Sequence, residues 1–178
     1  MGRKLYLLEN LNLKKGDIFK FGSWMGKPIE WQVLEDLNDS LFCISKESVV
    51  YSGRLFDFKD SSYKESDLRK WIVQVFYRKA FDSKEKSFLL RYYPEGNDKV
   101  TILSEEEAKE CLPSKSDRET DVREEGWWLR SPGDYSDTAF YVDSLGNFYQ
   151  DHIRREHGVR PVIHLKKDVE NFLDSEEV

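Results

Sequence analysis

The side chains best suited to contact a ligand lie close together near the C-terminal end of the sequence. They combine tyrosines, arginines, histidines and one carboxylate, namely Tyr135, Tyr149, Asp151, His152, Arg154, Arg155 and His157. Tyrosine supplies a large contact area at a small entropy cost, and arginine binds carboxylates through a two-pronged contact. This composition is typical of a recognition surface, although an ordinary solvated loop has a similar composition.

Each residue type in this group predicts its own role. We expect Tyr149 to give flat contact area, and Arg154 and Arg155 to pair with acidic groups of a ligand. His152 and His157 would make binding sensitive to pH, because histidine titrates close to neutrality. The prediction is therefore a binding site for a protein, a peptide or a glycan.

Four further residues are predicted to be structural. Trp127 and Trp128 point to opposite faces if their segment is extended, so one fills the core while the other covers a loop or meets a ligand. Arg130 and Arg160 lie in or beside predicted strands, where each can hold loop carbonyls or a carboxylate. We expect these four side chains to hold the neighbouring loops in place.

The sequence gives little sign of a metal site or of catalysis. The histidines lack the tight spacing of zinc ligands, and the aspartates at 134, 137, 143 and 151 do not form an EF-hand loop. Ser131 does not lie in a Gly-x-Ser-x-Gly turn, and neither a P-loop nor a dinucleotide fingerprint occurs. We predict no metal, no cofactor and no catalytic residue, while catalytic groups that meet only in space stay possible.

Composition narrows the class of protein. The 178 residues suit one domain with extensions, and the 14% aromatic content indicates a folded chain. The net charge of -6 and the absence of a basic stripe argue against nucleic-acid binding. No apolar run is long enough to span a membrane, and no signal peptide is recognisable, so we expect a cytoplasmic protein. Cys43 and Cys111 are predicted to be buried reduced thiols.

The elements that must position these residues follow from periodicity. Strands are predicted at GDIFKFGSW, PIEWQVLE and SLFCISK, with a possible short strand at SVVYS. Apolar residues recur with helical spacing in SDLRKWIVQVFYRKAF, and capping boxes start shorter helices at DSKEKSFLL and SEEEAKECLP. A strand is expected at KVTIL, and PSKSDRETDVREEG is predicted to be a long surface loop.

The C-terminal part is predicted to be a hairpin between two loops. The hairpin turns at SLGN, a polar loop follows around DHIRREHG, and a final strand covers VRPVIHL. This order of elements predicts an α+β fold with a mixed, mostly antiparallel sheet, two or three helices and long C-terminal loops. We divide the chain into an N-terminal extension (1–14), one domain (15–167) and an acidic tail (168–178).

Several motifs in fixed order resemble a known family. GDIFKFGSW, IEWQVLE, SDLRKWI, ILSEEEA, WWLRSPG, AFYVDSLGNF and GVRPVIHL span about residues 15 to 167. They resemble a bacterial family of domains of unknown function, whose members begin close to GDIIxFGxYxWRVL and end close to WWLRSPG, AxYVxxxGxV and GVRPAL. This family carries no established activity.

More distantly, the C-terminal motifs resemble the C-type-lectin-like fold shared by formylglycine-generating enzymes and the variable binding proteins of diversity-generating retroelements. The resemblance implies that the Trp pair and Arg130 lock a platform, while loops 132–137 and 149–158 bind. The Glu-Pro-Asn and Trp-Asn-Asp sugar motifs of calcium-dependent lectins are absent, as is the late cysteine pair of the oxidases.

We therefore expect a non-catalytic binding domain of C-type-lectin-like architecture. Two alternatives stay open: an enzyme, either a hydrolase or an oxidase, with its site in the same loops, and a structural module. A cleft holding a carboxylate or histidine of shifted pKa would favour the enzyme, whereas a surface rich in exposed tyrosine and arginine would favour binding.

Overall fold

Two antiparallel sheets and a few short helices form the protein. The structure is a computed structural model that describes residues 13–91, 97–120 and 126–167. The α+β class with mostly antiparallel sheets is confirmed. Most of the predicted N-terminal extension and the predicted acidic tail lie outside the described residues.

The larger sheet begins with a three-stranded meander. Strands β1 (Ile18–Trp24), β2 (Lys27–Leu37) and β3 (Ser40–Ser45) pair in sequence order. The last strand of the described residues, β9 (Val162–Lys166), pairs antiparallel with β3. Two short strands, β4 (Leu89–Leu90) and β5 (Val100–Thr101), pair with β9 and complete the described sheet. The first and the last described strands therefore belong to the same sheet.

One bent helix packs against this sheet. Helix α1 (67–80) consists of an α-helical segment Asp67–Trp71, a π-helical turn Ile72–Phe76 and a final α-helical turn Tyr77–Ala80. A 3-10 turn, Tyr63–Glu65, precedes it. Ser66, the N-cap, accepts a hydrogen bond from the Arg69 N–H at 3.1 Å. The apolar face of α1 joins the core.

The three other helices in the described part of the chain are short, and each begins with a capping box. Helices α2 (Ser83–Phe88) and α3 (Glu105–Cys111) start at the predicted boxes. Helix α4 (Lys115–Arg118) lies where a continuous loop was predicted, so that part of the prediction was wrong. Its box joins Ser114 and Asp117. SVVYS, the possible strand, lies outside all strands.

The second sheet holds three of the predicted recognition residues, namely Tyr149, Asp151 and His152. Strands β6 (Trp127–Pro132), β7 (Thr138–Val142) and β8 (Phe148–His152) pair antiparallel in sequence order. The β7–β8 hairpin turns at SLGN as predicted, with Gly146 at a φ of 78°. The loop predicted for 149–158 was placed too early, because its first four residues pair with β7 and belong to β8.

The core consists of two clusters on either side of β6. Trp128 belongs to the larger cluster with residues of β1, β2 and α1, whereas Trp127 belongs to the smaller cluster around α3. The two adjacent tryptophans therefore face opposite ways, as the alternation of an extended segment requires. No helix of the described residues is both long and apolar enough to cross a membrane.

Candidate ligand-binding surface

A row of four aromatic rings runs from the surface to the core on one face of the β7–β8 hairpin. Tyr149 lies opposite Tyr141, with ring centroids 6.3 Å apart. Tyr141 stacks on His157 at 4.0 Å, and His157 meets Trp128 edge-on at 4.6 Å. Tyr149, the outermost ring, is 53% exposed, whereas Trp128 is fully buried. The exposed tyrosine therefore lies at the outer end of a continuous row of ring contacts.

His157 lies inside this row and not on the surface where it was predicted. It is 4% exposed, and its Nε2 lies 2.8 Å from Oδ2 of Asp151. Its backbone exchanges hydrogen bonds with Arg54, from Arg54 N to His157 O at 2.8 Å and from His157 N to Arg54 O at 3.1 Å. In this position His157 packs against Tyr141, and almost none of its own surface is accessible to a ligand.

Asp151 is half-buried and also has partners within the hairpin. Its Oδ2 is the partner of His157, and its Oδ1 accepts the His152 N–H at 2.7 Å. Both carboxylate oxygens are therefore engaged by the protein itself. In this position Asp151 organises the end of β8.

The other predicted ligand contacts lie at the surface. Tyr135 is 73% exposed, and His152, Arg154 and Arg155 are also exposed. His152 lies 3.6 Å from the Asp137 carboxylate, and Arg154 donates to the carbonyl of Phe58 at 2.9 Å. Within the described residues, neither arginine forms an ion pair with a carboxylate. Their charges are therefore available to an acidic partner.

Gln150 holds the loop that carries Tyr135, a role that the sequence reasoning missed. Its Oε1 accepts the Asp134 N–H at 2.7 Å and lies 3.4 Å from the Thr138 hydroxyl. Gly133 fits against the same side chains, because a Cβ there would lie 2.5 Å from that Oε1. A glutamine on a predicted loop gives no sequence signal of this contact, which arises from the pairing of β7 with β8.

The two tryptophans are fully buried, so neither presents a surface to a ligand. The Trp127 indole N–H donates to the carbonyl of Arg118 at 3.1 Å, and the Trp128 indole N–H donates to the carbonyl of Arg54 at 2.6 Å. Buried tryptophans usually find such an acceptor. These bonds attach β6 to the end of α4 and to the segment around Arg54.

Arg130 and Arg160 occupy sites inside the fold. Arg130 forms a two-pronged ion pair with Glu107 and also donates to the carbonyl of Ile102 at 2.8 Å. Arg160 is 1% exposed, donates to the carbonyl of Ser45 at 3.0 Å and lies 4.9 Å above the Trp127 ring. Arg130 thus links β6 to α3, and Arg160 links the segment before β9 to the end of β3 and to Trp127.

A separate groove of about 720 Å³ lies between the β1–β2 turn and residues 47–51. Its rim carries two exposed apolar side chains, Met25 at 71% and Tyr51 at 73% exposure. Lys27 bridges the groove by donating to the Tyr51 hydroxyl at 3.1 Å. The sequence reasoning assigned no site residue here, because the lining side chains come from distant segments without a motif.

The acid–base groups do not assemble a metal site. Within the described part of the chain, no group of three histidine, cysteine or carboxylate side chains is placed to hold a metal ion. Burial lowers the pKa of His164 to about 4, and this histidine stacks on Phe42 at 4.5 Å inside the larger sheet. Burial raises the pKa of both thiols, that of Cys111 to about 11, with Glu35 adding to the effect.

Comparison with known proteins identifies the family to which this chain belongs. The family model described as Domain of unknown function (DUF6273) matches residues 44–167. The chain belongs to the DUF6273 family. The match covers the chain from the end of β3 through β9, including the hairpin surface of this DUF6273 domain, whereas the motifs in β1 and β2 lie outside it. No curated protein and no solved structure matches the chain.

Proposed function

We propose that this DUF6273 domain is a non-catalytic binding module that recognises a protein or peptide through the exposed face of the β7–β8 hairpin. The observation that carries the proposal is an exposed Tyr149, backed by Tyr141 and His157, on the strand that leads to two exposed arginines. Tyrosine and arginine are enriched among the residues that dominate the binding energy of protein interfaces.

The support beneath Tyr149 explains why this tyrosine can act as an anchor. Its neighbour Tyr141 is held by His157, which is fixed in turn by Asp151. A ring on such a base loses little conformational freedom when a partner binds, so less entropy is lost on association. The loop with Tyr135 borders the same hairpin and is held by Gln150.

The two arginines supply the charge preference of this surface. Arg154 and Arg155 directly follow β8, and both are exposed. A carboxylate of the partner would form charge-assisted hydrogen bonds with their guanidinium groups. We therefore propose a partner with acidic residues.

The order of a buried aromatic pair, a hairpin and a closing strand supports the proposal that the architecture is C-type-lectin-like.

Photo-crosslinking tests this proposal directly. A photoreactive amino acid at position 149 should capture a defined partner in a host lysate, whereas the same amino acid at Lys79, which is exposed on α1, should not. Replacing Arg154 and Arg155 with alanine should weaken the capture by about fivefold to tenfold, as expected for losing one or two charge-assisted contacts.

The matched control replaces two adjacent exposed basic residues elsewhere. Arg78→Ala with Lys79→Ala removes the same charge from α1 and should leave capture unchanged. All variants should keep the wild-type melting curve. Unchanged capture by a folded Arg154/Arg155 variant would contradict the proposal, and a released small product in place of a captured partner would favour the enzyme.

A further inference from the structure

Strand β8 is the last strand of its sheet, and this edge is open within the described residues. β8 pairs with β7 on one side, and no other described strand pairs with it. An exposed strand edge is a template for pairing with another chain, because its outward N–H and C=O groups lack partners. The edge therefore offers backbone hydrogen bonds in addition to the side chains discussed above.

The register shows which backbone groups point outward. Asp143 N donates to Asn147 O at 2.9 Å, and Ile153 N donates to Asp137 O at 2.9 Å. Because antiparallel strands exchange hydrogen bonds at every second residue, Tyr149 and Asp151 also bond to β7. The intervening residues Phe148, Gln150 and His152 therefore direct their N–H and C=O groups away from β7.

The chain itself closes one end of this edge. The His152 N–H donates to its neighbour Asp151 at 2.7 Å, and the His152 carbonyl accepts the Arg155 N–H at 2.8 Å. Within the described residues, the N–H and C=O groups of Phe148 and Gln150 remain available for hydrogen bonds with a partner. We call these groups the open edge. A short extended peptide can pair with both residues.

The side chains beside the open edge indicate what the peptide carries. A peptide residue placed opposite Tyr149 would pack on this exposed ring, as aromatic and β-branched residues do in cross-strand pairs. Arg154 and Arg155 lie just beyond the closed end and suit acidic residues at the corresponding end of the peptide.

A second copy of this chain fits the edge less well. The carboxylate within β8, that of Asp151, already binds His157 and the His152 N–H. A second β8 would therefore bring no available carboxylate from its own strand to the two arginines. The charge at this edge favours an acidic segment of another protein.

We propose that an extended, acidic peptide segment of a partner protein adds to the open edge as a further strand of the small sheet. This mode deepens the proposed binding function and rests on it. Main-chain hydrogen bonds to Phe148 and Gln150 would supply affinity, while Tyr149 and the two arginines would supply specificity.

Two substitutions at Gln150 separate the backbone from the side chain. Gln150→Pro removes the outward N–H, and proline is tolerated where an edge N–H faces solvent. Gln150→Ala loses the same side-chain contacts to the Tyr135 loop but keeps the N–H. The probe is a display library of short random peptides, selected on the wild-type protein. Enriched peptides are then synthesised, and their dissociation constants are measured by fluorescence anisotropy.

We expect the enriched peptides to be acidic. They should bind Gln150→Pro about tenfold more weakly than Gln150→Ala, because both variants lose the side-chain contact to the Tyr135 loop. Only Gln150→Pro also loses the outward N–H and adds a ring that obstructs an added strand. In amide NMR spectra the signals of Phe148 and Gln150 should shift on binding. If Gln150→Pro fails to fold, N-methylation of the peptide amides that face β8 should weaken binding similarly, while methylation of alternate amides should not.

Three results would overturn this inference. Equal binding to the proline and alanine variants, with weaker binding to the Arg154/Arg155 variant, would contradict the added strand. The same result would agree with the proposed binding function. Binding insensitive to every hairpin variant, or no enriched peptide, would remove both. A concentration-dependent dimer abolished by Gln150→Pro would show that a second copy occupies the edge.

Discussion

Strand β1 of the large sheet and strand β8 of the small sheet are both terminal strands, but their edges are treated differently. At β1 the Gly22 N–H donates to Oε1 of the buried Glu85 at 3.2 Å. At β8 the Phe148 and Gln150 groups face outward, and no described residue covers them in this way. An uncovered edge is a template for pairing with another chain, so the contrast supports the proposal that β8 receives a strand of a partner.

The cover over β1 is built from the end of α1 and the start of α2. A Cβ at Gly22 would lie 2.7 Å from the Phe81 ring and 2.8 Å from the Ala80 carbonyl oxygen. Glu85 also accepts the Asp82 N–H at 2.8 Å, so the capping box of α2 fixes this carboxylate in place. The Glu85 carboxylate at the start of α2 thus accepts hydrogen bonds from both the helix N-terminus and the edge of β1.

A side chain placed at Gly22, where β1 packs closely against Phe81 and Ala80, should have the largest effect on stability. Gly22→Ala should lower the free energy of unfolding by about 3–4 kcal/mol, because φ is +67° and the added methyl meets backbone and ring atoms. Urea unfolding measures this change. The control is Gly26→Ala, where φ is +80° but nothing lies within 4 Å, and its cost should be about 1 kcal/mol. Equal costs would show that β1 is not tightly covered.

Removing the carboxylate cover should have the next largest effect. Glu85→Ala leaves two backbone donors without their acceptor, at Gly22 and Asp82, and should lower the free energy of unfolding by about 2–3 kcal/mol. Light scattering should also rise with protein concentration, because the β1 edge becomes open. Glu85→Gln keeps one acceptor oxygen and should lose less, whereas equal losses for both variants would contradict this role.

Acid should lower the stability of the large sheet through His164, which lies in β9. Burial lowers the pKa of His164 to about 4 from 6.5, although the Glu107 charge acts in the opposite direction. The unfolded chain then takes up a proton as pH falls below about 6.5, before the folded protein does. Stability should therefore fall by about 2 kcal/mol between pH 8 and pH 5.

Denaturant unfolding across this pH range measures the effect. His164→Gln cannot take up the proton and should flatten the dependence. If that variant follows the wild-type curve, another group must carry the acid sensitivity, and the large sheet would not be the acid-labile one.

Proline at position 150 of β8 should have the smallest effect, and comparing it with proline at position 149 should distinguish the two sides of the strand. Gln150→Pro should cost about 1 kcal/mol or less relative to Gln150→Ala, because its N–H faces outward. Tyr149→Pro removes an N–H that bonds to β7 and should cost about 3 kcal/mol. Thermal unfolding of the three variants tests this order. A reversed order would mean that the register derived for the open edge is wrong.

Local patterns predicted many individual elements. The alternation in PIEWQVLE, the apolar spacing in α1 and the capping boxes at Asp82 and Ser104 depend on nearby residues, and the structure contains the corresponding elements. The helix α4 was missed because its box, Ser114 with Asp117, lies in a strongly polar stretch without apolar periodicity. Its position depends on Arg118, which is buried against carbonyls of Leu112 and Gly146.

The predicted surface was partly recognisable from composition. Tyr149 is exposed near the start of β8, and His152, Arg154 and Arg155 are exposed at and beyond its end. His157 belongs to the same stretch by composition, yet it is buried beside Tyr141. Nothing in a single sequence distinguishes a histidine that faces solvent from one that packs between two rings, since both lie in equally polar surroundings along the chain.

The sequence by itself determined the α+β class, the family motifs, the hairpin at SLGN and the opposite directions of Trp127 and Trp128, because period and turn chemistry act over a few residues. Only the tertiary structure decided that Glu85 covers β1, that Asp151 holds His157, and that β8 ends its sheet with an open edge. Such contacts join residues distant in sequence, and which strand lies at an edge depends on how all strands pair.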